Sequence, residues 1–223
     1  MKKLIVIASL IFCSTSYAWF MQPADFFQIW AVQNKSPQTL VIKQERELIS
    51  NGAVTQTIPE TIKIKRPGLL KWISEIPGLE EMKVLGKLKA TMGAIKNQRD
   101  VPLKNILTPI EVVLLYSNAG NIESVLKQID IDSKQVKLEL IQKNKEVRIG
   151  DNKGNRIFVS PDKNTLDAMV FQNKLYLIKY NVDKFSFYPS EIEIYENEVL
   201  KEKVKTKSIL TNAKISDSEF ESK

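Results

Sequence analysis

The sequence contains no histidine and only one cysteine, Cys13, close to the amino terminus. Histidine acid-base chemistry, Ser-His-Asp and Cys-His nucleophiles, zinc sites of the usual kind and an intramolecular disulfide are therefore excluded. Glycine (8) and proline (9) are sparse among 223 residues, and no Pro/Gly/Ser-rich stretch divides the chain. One domain is expected rather than two. Long apolar runs are scarce as well. Leu4 to Phe12 stands out, yet it falls far short of the ~20 residues that a bilayer-crossing helix needs.

What is present begins with that run. Lys2 and Lys3 precede it and Ser16-Tyr17-Ala18 follow it, the three zones of a secretory signal. Residues 1–18 are read as a signal peptide cleaved after Ala18, and residues 19–223 as a single periplasmic domain. The bulky Phe12 ahead of Cys13 argues against a lipid-modified cysteine. The net charge of +7 is spread along the chain. Lys201, Lys203, Lys205 and Lys207 alternate, which on a strand puts them on one wet face. No nucleic-acid-binding motif accompanies the charge, so no nucleic-acid partner is expected.

Hydrophobic spacing predicts a first helix over Pro23 to Asn34, with Phe26, Phe27 and Trp30 on one face. Gln38 to Ser50 and Ala53 to Lys65 read as strands joined by Asn51-Gly52, a two-residue hairpin turn. In the second arm Ile62, Ile64 and Arg66 share one face while Thr61, Lys63 and Lys65 share the other. A strand is expected over Leu69 to Ile76, ended by Pro77-Gly78. Leu79 to Asn97 fits either a helix or two strands about Gly86-Lys87. Thr108-Pro109 opens a second helix whose Ile110, Val113 and Leu114 lie on one side, and Ile122 to Ile129 extends the helical region. Beyond Lys134, seven short alternating stretches predict an antiparallel meander.

The most specific local signal is Lys65-Arg66-Pro67-Gly68-Leu69-Leu70-Lys71-Trp72. With its Arg-Pro-x-x-x-x-Trp pattern after a long hairpin arm, the chain resembles the LolA/LolB family of outer-membrane lipoprotein carriers. The signal peptide, the helix before the Asn-Gly hairpin and Thr108-Pro109 ahead of an apolar helix are similar too. Asn212 to Phe220 looks like the family's closing strand, whereas Gly78 to Pro102 departs from the family pattern.

The resemblance implies an α+β fold in which an incomplete, open antiparallel β-barrel wraps around a helical lid, with an N-terminal helix. It implies a periplasmic carrier that holds acyl chains of lipoproteins, or a related lipid, and passes them toward the outer membrane. Arg66 would latch the lid helices, Ile62, Ile64, Leu70 and Trp72 would line the cavity, and Ile110, Val113 and Leu114 would belong to the lid. Its partners would be an inner-membrane release complex and an outer-membrane acceptor, and the chain would act as a monomer. Two other readings remain open: an envelope sensor or assembly protein that binds an acylated ligand or a protein partner, and an enzyme with carboxylate chemistry.

Against catalysis, Asp130/Asp132 and Glu191/Glu193 stand two apart, a spacing that on strands marks a solvent face. Asp151 to Asn155 has calcium-loop residue types without the remaining ligands, and reads as a turn. No catalytic residue, metal or cofactor is expected, and the chain is read as a binding protein.

Overall fold

The computed structural model describes residues 37–85, 89–95, 97–116, 122–141, 144–163, 165–181 and 188–221. The expected signal peptide and the expected helix over Pro23 to Asn34 lie outside them. The described residues form one 13-stranded sheet. Its first half comprises β1 (Thr39–Ser50), β2 (Ala53–Lys65), β3 (Leu69–Ser74), β4 (Glu81–Leu85), β5 (Lys89–Ala94) and β6 (Asn97–Val101). Two helices follow, α1 (Pro109–Tyr116) and α2 (Ile122–Gln128). The second half comprises β7 (Val136–Ile141), β8 (Asn144–Gly150), β9 (Arg156–Ser160), β10 (Thr165–Phe171), β11 (Lys174–Lys179), β12 (Glu191–Glu196) and β13 (Val199–Thr211).

Sheet order is β6-β5-β4-β3-β2-β1-β13-β12-β11-β10-β9-β8-β7, so each half is a plain meander. The one long-range pairing sets β1 beside β13, antiparallel, at the centre of the sheet. The two end strands, β6 and β7, leave the sheet open.

Local chemistry explains the central hairpin. Asn51 and Gly52 both have positive φ, 52° and 77°, as a two-residue turn between right-twisted strands requires. Alternation then buries Ile58, Glu60, Ile62 and Ile64 on one face of β2 and leaves Thr61, Lys63 and Lys65 at least partly exposed on the other. That buried, inner face packs against the two helices in a single apolar cluster drawn from both halves of the sheet and from α1 and α2.

In the stretch 79–97, which suits helix or strand in sequence, the described residues form β4, β5 and the start of β6. Cross-strand partners settle the choice, since Trp72 faces Met82 and Leu70 faces Val84. One expectation is corrected. Asn212 to Phe220 is not a strand: it runs irregularly into a 3-10 turn at Asp217–Glu219. Ser216 and Glu219 form a capping box there, and such side-chain bonds to the backbone favour a turn over a ladder.

Candidate functional site

The sequence-predicted residues separate into two groups. Ile62, Ile64 and Leu70 are 0–1% exposed and belong to the closed core. Trp72 is only partly buried against that core and lines open space. Ile110 and Leu114 are buried in the same cluster, while the side chain of Val113 lies outside the described residues. Val112 and Leu115 are buried as well, so α1 is covered on more than the one side its spacing predicts.

Arg66 is buried at the bend between β2 and β3. Its backbone N–H donates to the Gln38 carbonyl at 2.9 Å. Among the described residues its Nε and Nη1 have no hydrogen-bond partner. Burial pushes the guanidinium pKa down to about 10.

Two cavities lie side by side on the inner face. One, of about 240 Å³, sits beneath the segment from Lys104 to Glu111 and is walled by Met169, Phe171, Tyr176 and Ile194. The other, of about 400 Å³, sits toward the β1–β2 hairpin and the β3–β4 turn, against Leu48, Ile58, Ile76 and Pro77. Arg46, Trp72, Met82 and Glu202 belong to the walls of both.

Between the cavities is an ion cluster that the sequence reading did not single out. Arg46 Nε pairs with Glu60 Oε1 at 2.7 Å and Nη1 with Glu202 Oε2 at 2.5 Å. The guanidinium lies 5.5 Å from the Trp72 ring centroid, within cation-π range. Gln44 Nε2 donates to Glu60 Oε2 at 2.6 Å, and Tyr188 Oη donates to Gln44 Oε1 at 3.2 Å. Lys174 Nζ pairs with the other oxygen of Glu202 at 3.1 Å.

Burial alone would lower the Arg46 pKa, but Glu60 and Glu202 outweigh it and hold the pKa above its usual value. Glu202 is likewise opposed by burial yet held low by Arg46 and then Lys174. Glu111, in the first turn of α1, has its carboxyl pKa raised by burial, although it accepts from Thr108 N at 2.9 Å and from Thr108 Oγ1. Burial, with Glu202 and Glu111 nearby, pushes the Tyr176 hydroxyl up to about 12. Among the described residues each cation of this wall has a carboxylate partner: Arg46 has Glu60 and Glu202, Lys174 has Glu202, and Lys104 has Asp130.

A signal for this cluster was present in the strand period. Gln44 and Arg46 share a face with Leu40 and Ile42, and Glu60 shares one with Ile62 and Ile64, so polar residues interrupt two apolar stripes at matching depth.

The acidic pairs do not converge on a cleft. Glu191 and Glu193 bond Lys179 and Lys203 across the outer face. Asp130 and Asp132 lie in the turns after α2, Asp130 bonded to Lys104 at 3.0 Å and Asp132 accepting from Lys134 N at 3.1 Å. Among the described residues no group of three or more Asp, Glu, Cys or His could hold a metal ion.

No protein-family model matches the chain. No curated protein matches it either. Solved structures do. A LolA superfamily protein of Nitrosomonas europaea superposes with a TM-score of 0.59 at 11% identity, covering 89% of this chain and 97% of the other. A putative outer membrane lipoprotein-sorting protein domain of Vibrio parahaemolyticus gives 0.57 at 12% identity, covering 88% and 95%. A DUF1329 family protein of Desulfovibrio piger gives 0.52 at 13%, covering 90% and 98%. Nearly the whole of each shares one path with this chain, which therefore has the LolA-like fold.

Proposed function

We propose that the chain is a binding protein, not an enzyme, and that it holds an apolar chain of a lipid or lipoprotein on the inner face of its sheet. The observation that carries this reading is the pair of adjoining cavities walled by Trp72, Met82, Ile58, Met169 and Phe171. An alkyl chain leaving water for such a place gains ~0.8 kcal/mol per buried methylene. The fold is shared with a domain described as lipoprotein-sorting, which agrees with cargo carried between membranes of a cell envelope.

In this reading the expected signal peptide delivers the chain to the periplasm, and transfer runs toward the outer membrane. The helices α1 and α2 serve as the lid. Arg66 is its latch: a buried guanidinium whose Nε and Nη1 lack partners among the described residues can donate to helix carbonyls that move within reach.

The test is lipid uptake. The chain purified from the cell envelope is analysed by native mass spectrometry and solvent extraction, alongside Met82→Glu, which places a carboxylate in the wall of both cavities. Wild type retaining an acylated ligand that the folded variant loses is the expected result. A wild-type protein that carries no lipid and takes up no acylated ligand would sink the carrier reading and favour the sensor or assembly role.

A further inference from the structure

The cavities adjoin, yet what separates them is charged. Arg46 comes from β1, Glu60 from β2, Trp72 from β3 and Glu202 from β13, four strands that are neighbours in the sheet. By register they step diagonally across the inner face, at the levels of Ile42 (Trp72), Gln44 (Glu60), Arg46 and Leu48 (Glu202) of β1, and their side chains close into one oblique bar. The bar is fixed at both ends. Arg46 cannot swing aside without releasing Glu60, whose side chain is 1% exposed, and Glu202, whose side chain is 19% exposed. Gln44, itself bonded by Tyr188, holds Glu60 from one side, and Lys174 holds Glu202 from the other.

An alkyl chain lying in the hairpin-side cavity meets this bar end-on. Crossing it would lay methylenes against a guanidinium and two carboxylates, separating ion pairs without offering a hydrogen bond in return. From this geometry we infer that Arg46 is a specificity-determining residue: clamped by Glu60 and Glu202 and stacked on Trp72, it divides the binding face and sets the length of acyl chain it accepts.

This rests on the apolar-ligand reading above and adds a property which that reading does not require. A carrier with one undivided cavity would go on gaining affinity with chain length until both volumes are full. A divided one stops gaining when the first compartment is full.

The experiment uses the full chain and a homologous series of saturated lysophosphatidylcholines, each two methylenes longer than the last, titrated calorimetrically below their micellar concentrations. For wild type, affinity rises roughly fourfold per methylene, the equivalent of ~0.8 kcal/mol, and then levels off. Arg46→Met alone strands Glu60 and risks unfolding, so the variant used is Arg46→Met/Glu60→Gln, which removes one charge of each sign and leaves Glu202 paired with Lys174. Circular dichroism and urea midpoint confirm that it is folded.

In the double variant the levelling-off moves to longer chains, so that the longest members bind more than tenfold tighter than to wild type while the shortest bind equally. The same break point in both proteins, or no break point in wild type, overturns the partition and leaves the carrier reading standing. Absence of binding by wild type across the whole series overturns the ligand reading itself.

Discussion

Arg46 and Glu146 are both charged groups removed from water, and their surroundings treat them oppositely. Arg46 meets two carboxylates at hydrogen-bond distance and stays charged. Glu146, on β8, is 3% exposed and its Oε2 has no hydrogen-bond partner among the described residues. Burial, with Asp167 adding to it, pushes its carboxyl pKa from 4.5 up to about 7, against only partial relief from Lys163. The folded chain thus keeps a proton that the unfolded chain has already released. Through the window from about pH 4.5 to about pH 7 the folded state binds more protons, so stability falls as pH rises and the loss is complete above it. Glu146→Gln, which keeps the shape without the charge, should match wild type near pH 4 and exceed it by about 1–3 kcal/mol at pH ~8 in urea unfolding. Parallel pH profiles for the two proteins would show that the carboxylate is solvated after all.

Among the elements, the hairpin of β1 and β2 has Gly52 in its turn and the edge hairpin of β5 and β6 has Gly93 near the end of β5, both with positive φ, and they should fail differently. At Gly52 (φ 77°) a Cβ would meet nothing within 4 Å, so Gly52→Ala costs only the left-handed backbone, about 1 kcal/mol. At Gly93 (φ 145°) a Cβ would collide with the backbone carbonyl oxygen of Asn97 across the turn. Because β6 is an end strand, the damage from Gly93→Ala should appear locally. Hydrogen exchange should show β5 and β6 amides losing protection in Gly93→Ala, and an unchanged pattern with a modestly lower global midpoint in Gly52→Ala. A uniform loss of protection from Gly93→Ala would mean that the edge is part of the cooperative core. The same two hairpins mark how far sequence carries. Asn51-Gly52 between alternating arms marks the hairpin, and parity within each arm gives the buried residues Ile62 and Ile64, but the bulge between Leu48 and Ile49 shifts the register by one residue and has no signal in the turn. Met82 fits a helix with Leu79 and Leu85 as well as a strand with Val84, and only pairing with β3 decides between them. The Arg46 cluster was half legible: parity places Gln44, Arg46 and Glu60 together, but Glu202 lies 156 residues beyond Arg46 and arrives only because β13 docks on β1.

At the scale of the whole molecule, the β1–β13 pair joins two meanders that are otherwise each local, and the chain after β13 fastens the join from the outer face. Lys63, Lys71 and Lys83 stand side by side on that face, one per strand, a row of like charge that is unfavourable alone. Glu81 pairs with Lys71 and Lys83, and the tail supplies the rest. Glu219 pairs with Lys63, Asp217 with Lys65, and the Glu221 carbonyl accepts from Lys83. These ion pairs are conspicuous, but Asp217 is 69% and Glu219 35% exposed, and pairs of that kind contribute about 0–1 kcal/mol each. Phe220, 1% exposed, and Ile215, 8% exposed, outweigh them, since truncating a buried phenylalanine to alanine costs about 3–5 kcal/mol. Phe220→Ala should therefore lower the urea midpoint far more than Lys63→Gln/Lys65→Gln. Raising salt from about 0.05 to about 1 M, which shortens the Debye length to roughly 3 Å, should move the wild-type midpoint little through these exposed pairs. If instead the double lysine variant proves as damaging as Phe220→Ala, charge rather than burial fastens the tail, and neutralisation of the lysine row is what holds the two halves of the sheet together.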